Sequence, residues 1–168
     1  SKKSIKEAGK YCTVNVAANQ RWVDTGIVVT QGQTVRFQST GEVRLSGDSG
    51  DTATAAGSRR GRRADGAPIP SVLAGALIGR VGTGVPFGIG DQGAALSMPA
   101  AGRLYLAVND DEVADNGGAF AVRVTPDAAP NTVGLPWVSH SYRTQPSRPA
   151  AAEKCVVANA LVVRWSLA

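Results

Sequence analysis

The chain has 168 residues, enough for one domain of ordinary size. Apolar residues make up 43% of it, which supports a packed core, and aromatic residues only 5%. With 20 glycines and 9 prolines among short runs bearing Val and Thr, the composition points to short strands joined by many turns, away from a bundle of long helices.

The net charge of +5 is unevenly placed. Lys2, Lys3, Lys6 and Lys10 stand at the N-terminus, and Arg59, Arg60, Arg62 and Arg63 form a second cluster. Acid is concentrated at Asp110, Asp111, Glu112 and Asp115. A uniformly basic nucleic-acid-binding domain would not gather its acid in this way, which argues against nucleic acid as a partner. No apolar run approaches the roughly 18 residues of a membrane helix, which argues against membrane insertion. Residues 1–11 are polar and basic and carry no signal-peptide core.

Residues 1–11 read as a flexible lead-in, 12–125 as the folded unit, and 126–168 as a Pro-rich linker and tail. Within the unit, Val14, Val16 and Ala18 alternate with polar residues, the period of a half-buried strand. Trp22, Ile27 and Val29 lead to a turn at Gln31-Gly32-Gln33, and Val35 and Phe37 alternate against Thr34, Arg36 and Gln38. Thr40-Gly41 interrupts this run, and Val43 and Leu45 continue it. Residues 46–70 hold almost no large apolar side chain. A connection of about 25 residues is long for a compact domain, so the segment is either functional or mobile. The Arg59–Arg63 cluster within it reads as a solvated loop, with phosphate binding as the competing use.

At Ser71–Gly82 one reading is a helical turn running into a buried strand, with Gly75, Ala76 and Gly79 allowing close backbone approach. Val85–Gly90 and Ala94–Met98 are two more short strands. Leu104, Leu106 and Val108, and then Phe120, Val122 and Val124, are inward positions of a strand pair that brackets the acidic loop. Seven or eight strands with frequent turns make an all-β sandwich or barrel. Cys155–Leu167 turns apolar again and reads as a last strand or a docking segment. A disulfide between Cys12 and Cys155 would staple the tail to the first strand, and the pair is compatible with an oxidising compartment without requiring one.

The loop Asn109–Gly118 carries the clearest chemistry. Asp110, Asp115 and Asn116 offer side-chain oxygens from both ends of a turn held between two strands. Calcium takes six to eight oxygens from carboxylates, amides, carbonyls and water. Crowded carboxylates repel unless a cation neutralises them. The loop contains neither Cys nor His, which argues against softer metals. The bland alternative is an acidic, merely soluble hairpin loop, and the spacing is not that of an EF-hand.

Nothing supports an enzyme. His140, the sole histidine, stands in the Pro-rich tail, and Ser139 and Ser141 beside it have no triad context. Asp24 reads as a turn or strand-edge residue, Glu42 has no partner to suggest, and Trp22 reads as core sooner than as a sugar-stacking platform.

Three stretches together resemble the bacterial galactose-binding calcium lectins of the PA-IL type and related domains of larger secreted proteins. They are Trp22–Ile27 leading to Phe37–Gly41, Gly75–Gly82 with Pro86-Phe87, and Leu104–Leu106 through Asn109-Asp110 to Asp115–Phe120. The resemblance implies a jelly-roll-like β-sandwich of short antiparallel strands, in an extracellular or cell-envelope protein. It implies one Ca2+ held by Asp110, by Asp115 and Asn116 as a consecutive pair, and by two carbonyls, one at Glu112 or Val113 and one near Leu45. Two vicinal hydroxyls of a small saccharide or glycan would complete the coordination. Asp110, Asp111, Asp115 and Asp65 are the sugar-side candidates. The chain departs from the family in having a shorter loop, leucine at 45 where the lectin has an aromatic, and no His or Gln in the Arg62–Asp65 region that would read the sugar. The resemblance thus implies a calcium-dependent carbohydrate-binding module. The alternative is a structural or adhesion domain of a larger secreted protein in which calcium only rigidifies a loop. Either is compatible with monomers or oligomers.

Overall fold

The computed structural model describes residues 11–91, 93 and 95–127, together with a short strand at 155–157. The strands are β1 (Cys12–Ala17), β2 (Val23–Val29), β3 (Thr34–Thr40), β4 (Val43–Arg44), β5 (Thr52–Thr54) and β6 (Gly57–Ser58) in the first half. The second half holds β7 (Leu77–Val81), β8 (Phe87–Gly88), β9 (Ala95–Ser97), β10 (Gly102–Val108), β11 (Gly117–Pro126) and β12 (Cys155–Val157). The alternation read from the sequence is what builds them. Val14 and Val16 of β1, Val35 and Phe37 of β3, and Phe120, Val122 and Val124 of β11 are buried, while their chain neighbours face outward. They pack with Val23, Ile27 and Val29 of β2, Leu104 and Leu106 of β10, and Leu77 and Val81 of β7 into one core. Each such side chain contributes about 1.5–3 kcal/mol when fully buried, so the two-sheet sandwich is the arrangement that hides both apolar faces.

One sheet runs β2-β10-β7-β8. The other runs β12-β1-β11-β4-β5-β6, with β3 also on β11 and β9 on β3. The long strand β11 therefore pairs along one edge with β1, and along the other with β3 over its second half and β4 at its first two residues. The break between β3 and β4 falls at Gly41, which has a φ of 104°, and a Cβ there would lie 2.7 Å from the Ala119 carbonyl oxygen. Glycine is thus required at this corner. Every pair is antiparallel except β1 with β12, which sets Cys12 opposite Cys155. Cys12 is buried. The Cys155 side chain lies outside the described residues, as do 1–10 and the Pro-rich stretch with His140.

Two expectations change. The stretch before β7 is not a helical turn but a series of tight turns stitched to distant strands. Ser58 N–H donates to Ala74 O at 2.7 Å, Gly75 N–H to Asn109 O at 2.8 Å and Leu77 N–H to Ala55 O at 2.9 Å. Tertiary hydrogen bonds outcompete a local helix here because Gly75, at φ 82°, seats its bare α-carbon against Ala53 and Leu45. Close approach at Gly79 is as expected: Phe87 and Ile89 lie where its Cβ would be.

The segment 46–70 folds as well. It forms β5 and β6, and three of its four arginines face carboxylates. Arg59 pairs with Glu42 at 2.7 Å, Arg60 with Asp48 at 2.9 Å and Arg62 with Asp51 at 3.3 Å. The sequence shows a basic run; the fold interleaves it with acid.

Candidate metal and carbohydrate site

The site is built at one end of the sandwich, where β10 runs out into the acidic loop. Asn109 is the first residue beyond β10 and is fully buried. Its side-chain oxygen accepts from Ile69 N–H at 3.0 Å, and its amide donates to the carbonyls of Ile69 (3.0 Å), Val72 (3.2 Å) and Leu73 (3.3 Å). Its backbone N–H donates to Ala76 O at 2.8 Å. Every donor and both oxygens of Asn109 are therefore engaged in clipping the 69–76 turns to the end of β10.

That clip fixes the next residue. Asp110 is 1% exposed. Its Oδ2 accepts from Asn116 Nδ2 at 2.9 Å, and the same amide reaches Ala18 O at 3.3 Å. Asn116 is held by the start of β11 and is also buried. With the Asn116 nitrogen committed to protein acceptors, its Oδ1 is turned the other way. Both Asp110 Oδ1 and Asn116 Oδ1 are buried without a hydrogen-bond partner. Burial pushes the Asp110 carboxyl above the usual carboxylate range, with the Asn116 amide and the Arg62 guanidinium pulling the other way.

Two residues that the sequence did not single out as ligands complete the cluster. Asp51, buried at the end of the turn after β4, leaves its Oδ1 without a partner. Its carbonyl accepts from Leu45 N–H at 2.8 Å, which places it beside the expected carbonyl ligand. Arg62 reaches between the carboxylates, with Nη2 3.3 Å from Asp51 Oδ2 and 3.9 Å from Asp110 Oδ1. Its Nε and Nη2 make no hydrogen bond. No local signal could have found either residue: Asp51 sits in a Ser- and Gly-rich stretch, and Arg62 looked like one of four solvated arginines.

The remaining candidates are placed as follows. Val113–Asp115 form a single 3-10 turn, capped by the Glu112 carboxylate accepting from Ala114 N–H. Val113 O accepts from Asn116 N–H at 3.3 Å. Asp115 is exposed on that turn, whereas Asn116 next to it is buried, so the consecutive pair divides between outside and inside. Leu45 is buried under Gly75. Asp65 and Asp111 are both exposed. Their loops touch, since a Cβ at Gly66 would lie 3.1 Å from Asp111 Cβ. Arg21 holds the acidic loop from outside by donating to Asp111 O at 3.3 Å.

For a hard cation the donors fit in kind. They are oxygens only, and three of them, on Asp51, Asp110 and Asn116, are buried without a hydrogen-bond partner, the state that a cation would relieve. They are few. Among the described residues no three Asp, Glu, His or Cys side chains gather as metal ligands do. Calcium here would be held by Asp110 and Asn116 side chains, with carbonyls and outside oxygens making up the number.

Elsewhere, Trp22 is half-buried with the Arg80 guanidinium 4.3 Å above its ring, and Tyr105 lies on the same guanidinium at 5.4 Å. Its ring contacts a cation where the sequence suggested core. A shallow pocket lined by Glu42, Val43, Arg44, Thr52, Gly117 and Gly118 shares no residue with the oxygen cluster. No helix among the described residues is long and apolar enough to cross a membrane.

No protein-family model matches the sequence, and comparison with curated proteins finds no match. Comparison with solved structures does. The chain is similar to one described as "EclA N-terminal domain; PllA-like lectin", with a TM-score of 0.56 and 23% identity, over 68% of this chain and 95% of that one. At that identity the likeness establishes a shared fold: this chain is an all-β sandwich of the kind seen in a PllA-like lectin domain.

Proposed function

We propose that this chain is a non-catalytic carbohydrate-binding module whose site is organised by one calcium ion at Asp110 and Asn116. The reading rests on a single observation: Asp110 and Asn116, joined by the Asn116 Nδ2–Asp110 Oδ2 hydrogen bond at the end of a lectin-like sandwich, each keep a buried Oδ1 without a hydrogen-bond partner. A buried carboxylate oxygen without a hydrogen bond costs free energy that a bound cation would return. Backbone carbonyls at Leu45 and at Glu112 or Val113 are the further protein donors in this reading, and Asp115 reaches the ion from the exposed turn. Two vicinal hydroxyls of a saccharide fill the positions open to solvent, replacing water. Galactose is the first sugar to test, and in this reading the exposed carboxylates of Asp65 and Asp111 accept hydrogen bonds from its other hydroxyls. An extracellular or cell-envelope setting, where calcium is plentiful, belongs to the same reading.

A specific feature favours a second reading, that of a structural or adhesion domain in which calcium only stiffens the loop. Leu45 offers no ring for a sugar face, and the sugar-side candidates Asp65, Asp111 and Asp115 are all exposed carboxylates. Calorimetric titration with calcium, repeated with galactose present and followed by a glycan array, separates the two. Calcium-dependent glycan binding that Asp110→Ala abolishes supports the module. Calcium binding with a blank array supports the structural domain, and no calcium binding removes the metal from both.

A further inference from the structure

We propose that Arg62 is a built-in counter-cation of this site, lodged between Asp51 and Asp110, and that calcium binds only by displacing it. The inference rests on the calcium reading above and adds the competitor for the same oxygens.

The position of the guanidinium is the first argument. Its Nη2 lies 3.9 Å from Asp110 Oδ1, the orphaned oxygen that calcium would take at about 2.3–2.6 Å. A divalent ion bound on the Arg62 side of that oxygen would sit against the guanidinium. Two cations so close in a half-buried site repel strongly, because the surroundings screen them much less than water does. On that side of Oδ1 the two occupants exclude one another.

The second argument is how loosely Arg62 is held. A structural arginine in a buried ion pair makes a bidentate fork of short hydrogen bonds. Arg62 makes none with Nε or Nη2. Its attachment is electrostatic, with Asp51 nearer than Asp110. Its side chain is 39% exposed, so a path to solvent is open, whereas the Asp110 side chain is 1% exposed. Its backbone does not need to move: Arg62 O accepts from Ala74 N–H at 2.9 Å, within the segment that Asn109 clips to β10. Only the side chain swings, and Asp51 remains beside the exit to receive it.

The site then has two states. Without metal, Arg62 compensates the buried carboxylates and the loop keeps its shape. With calcium, the guanidinium is expelled and the Asp110 and Asn116 oxygens turn to the ion. Affinity for calcium is lowered by the cost of expelling the arginine, which sets a threshold concentration for the site.

The test uses the full chain and three variants: Arg62→Gln, Arg62→Lys and Arg63→Gln. Arg63 is exposed and one residue away, so its variant removes the same charge without touching the cluster. Calcium affinity is measured by calorimetry and the metal-free melting temperature in chelator. We expect Arg62→Gln to bind calcium about tenfold more tightly than wild type, the effect of one partly screened neighbouring charge, and to melt lower in chelator. Calcium should restore its melting temperature. Arg62→Lys should stay near wild type because it keeps the charge, and Arg63→Gln should fall within about twofold of it, as a screened surface charge would. If wild type and Arg62→Gln bind equally, the inference fails and the calcium reading stands. If only Arg62→Gln binds, Arg62 holds the site permanently: the displacement fails with the calcium reading of the native chain, and the counter-cation assignment survives. If neither binds, both fail. Should Arg62→Gln fold only in calcium, comparing Arg62→Lys with Arg63→Gln still decides: a tightened lysine variant would overturn a role for charge.

Discussion

Replacing Asn109 tests whether the site is held together in the way the hydrogen bonds imply. Asn109→Ala removes four side-chain hydrogen bonds, but they are not equal. Ile69 O also accepts from Val72 N–H at 3.0 Å, and Leu73 O from Ala76 N–H at 3.3 Å, so both keep a donor. Among the described residues Ile69 N–H and Val72 O have Asn109 as their partner. An orphaned backbone group costs about 1–3 kcal/mol. Ile69 and Val72 are half-buried and can recruit some water, so the pair places the loss at about 3 kcal/mol. For a domain of this size that is a fall of roughly 10–15 °C in Tm. Asn109→Asp is the sharper variant. It has the same shape, but it sets an acceptor against three carbonyls and should cost at least as much as alanine. Urea denaturation with coincident fluorescence and circular dichroism measures both. Losses under about 1 kcal/mol, the net worth of a single ordinary hydrogen bond, would show that the 69–76 turns do not depend on this residue.

Asp110→Asn should abolish calcium binding while leaving the metal-free protein close to wild-type stability, since it removes a buried charge and keeps the bond from Asn116; calorimetry and thermal melts check both. The pH dependence follows from the raised Asp110 carboxyl. Between the ordinary value of 3.8 and its higher value in the fold, the native state holds a proton that the unfolded chain has released. Metal-free stability should therefore fall as pH rises through that window. Calcium reverses the sign, because it binds the ionised form; parallel melts in chelator and in calcium should diverge as pH rises. Gly75→Ala forces a Cβ into Ala53 and Leu45 at a positive φ and should cost about 2–4 kcal/mol, from overpacking together with backbone strain. Glu42→Gln combined with Asp48→Asn frees Arg59 and Arg60 and should raise retention on heparin. Equal retention of wild type and the double variant would show that the ion pairs do not mask those arginines.

The sequence by itself determined the longer strands and the framing of the acidic loop, but not β5 and β6, whose residues are small or polar. Period-2 burial at Leu104 and Leu106, and again at Phe120, Val122 and Val124, is a local property, because side chains alternate along any strand; it lapses at the end of β10, where Ala107, which the alternation would turn outward, is buried with Val108. It holds Asp110 and Asn116 at the two ends of one turn. The sequence also showed which groups there are oxygens, and hence what class of cation they suit. What it could not show is which oxygens are buried and what else reaches them. Asp115 and Asn116 are neighbours in the chain, yet one is outside and one inside, because a 3-10 turn intervenes before β11 begins. Asn109 looked like a ligand-loop residue and is instead a clip whose partners lie 36–40 positions away. The tertiary structure alone decided that Asp51 and Arg62 meet Asp110. Electrostatic and hydrogen-bond partners are chosen by distance in space, and the chain pattern that specifies a strand contains no term for it.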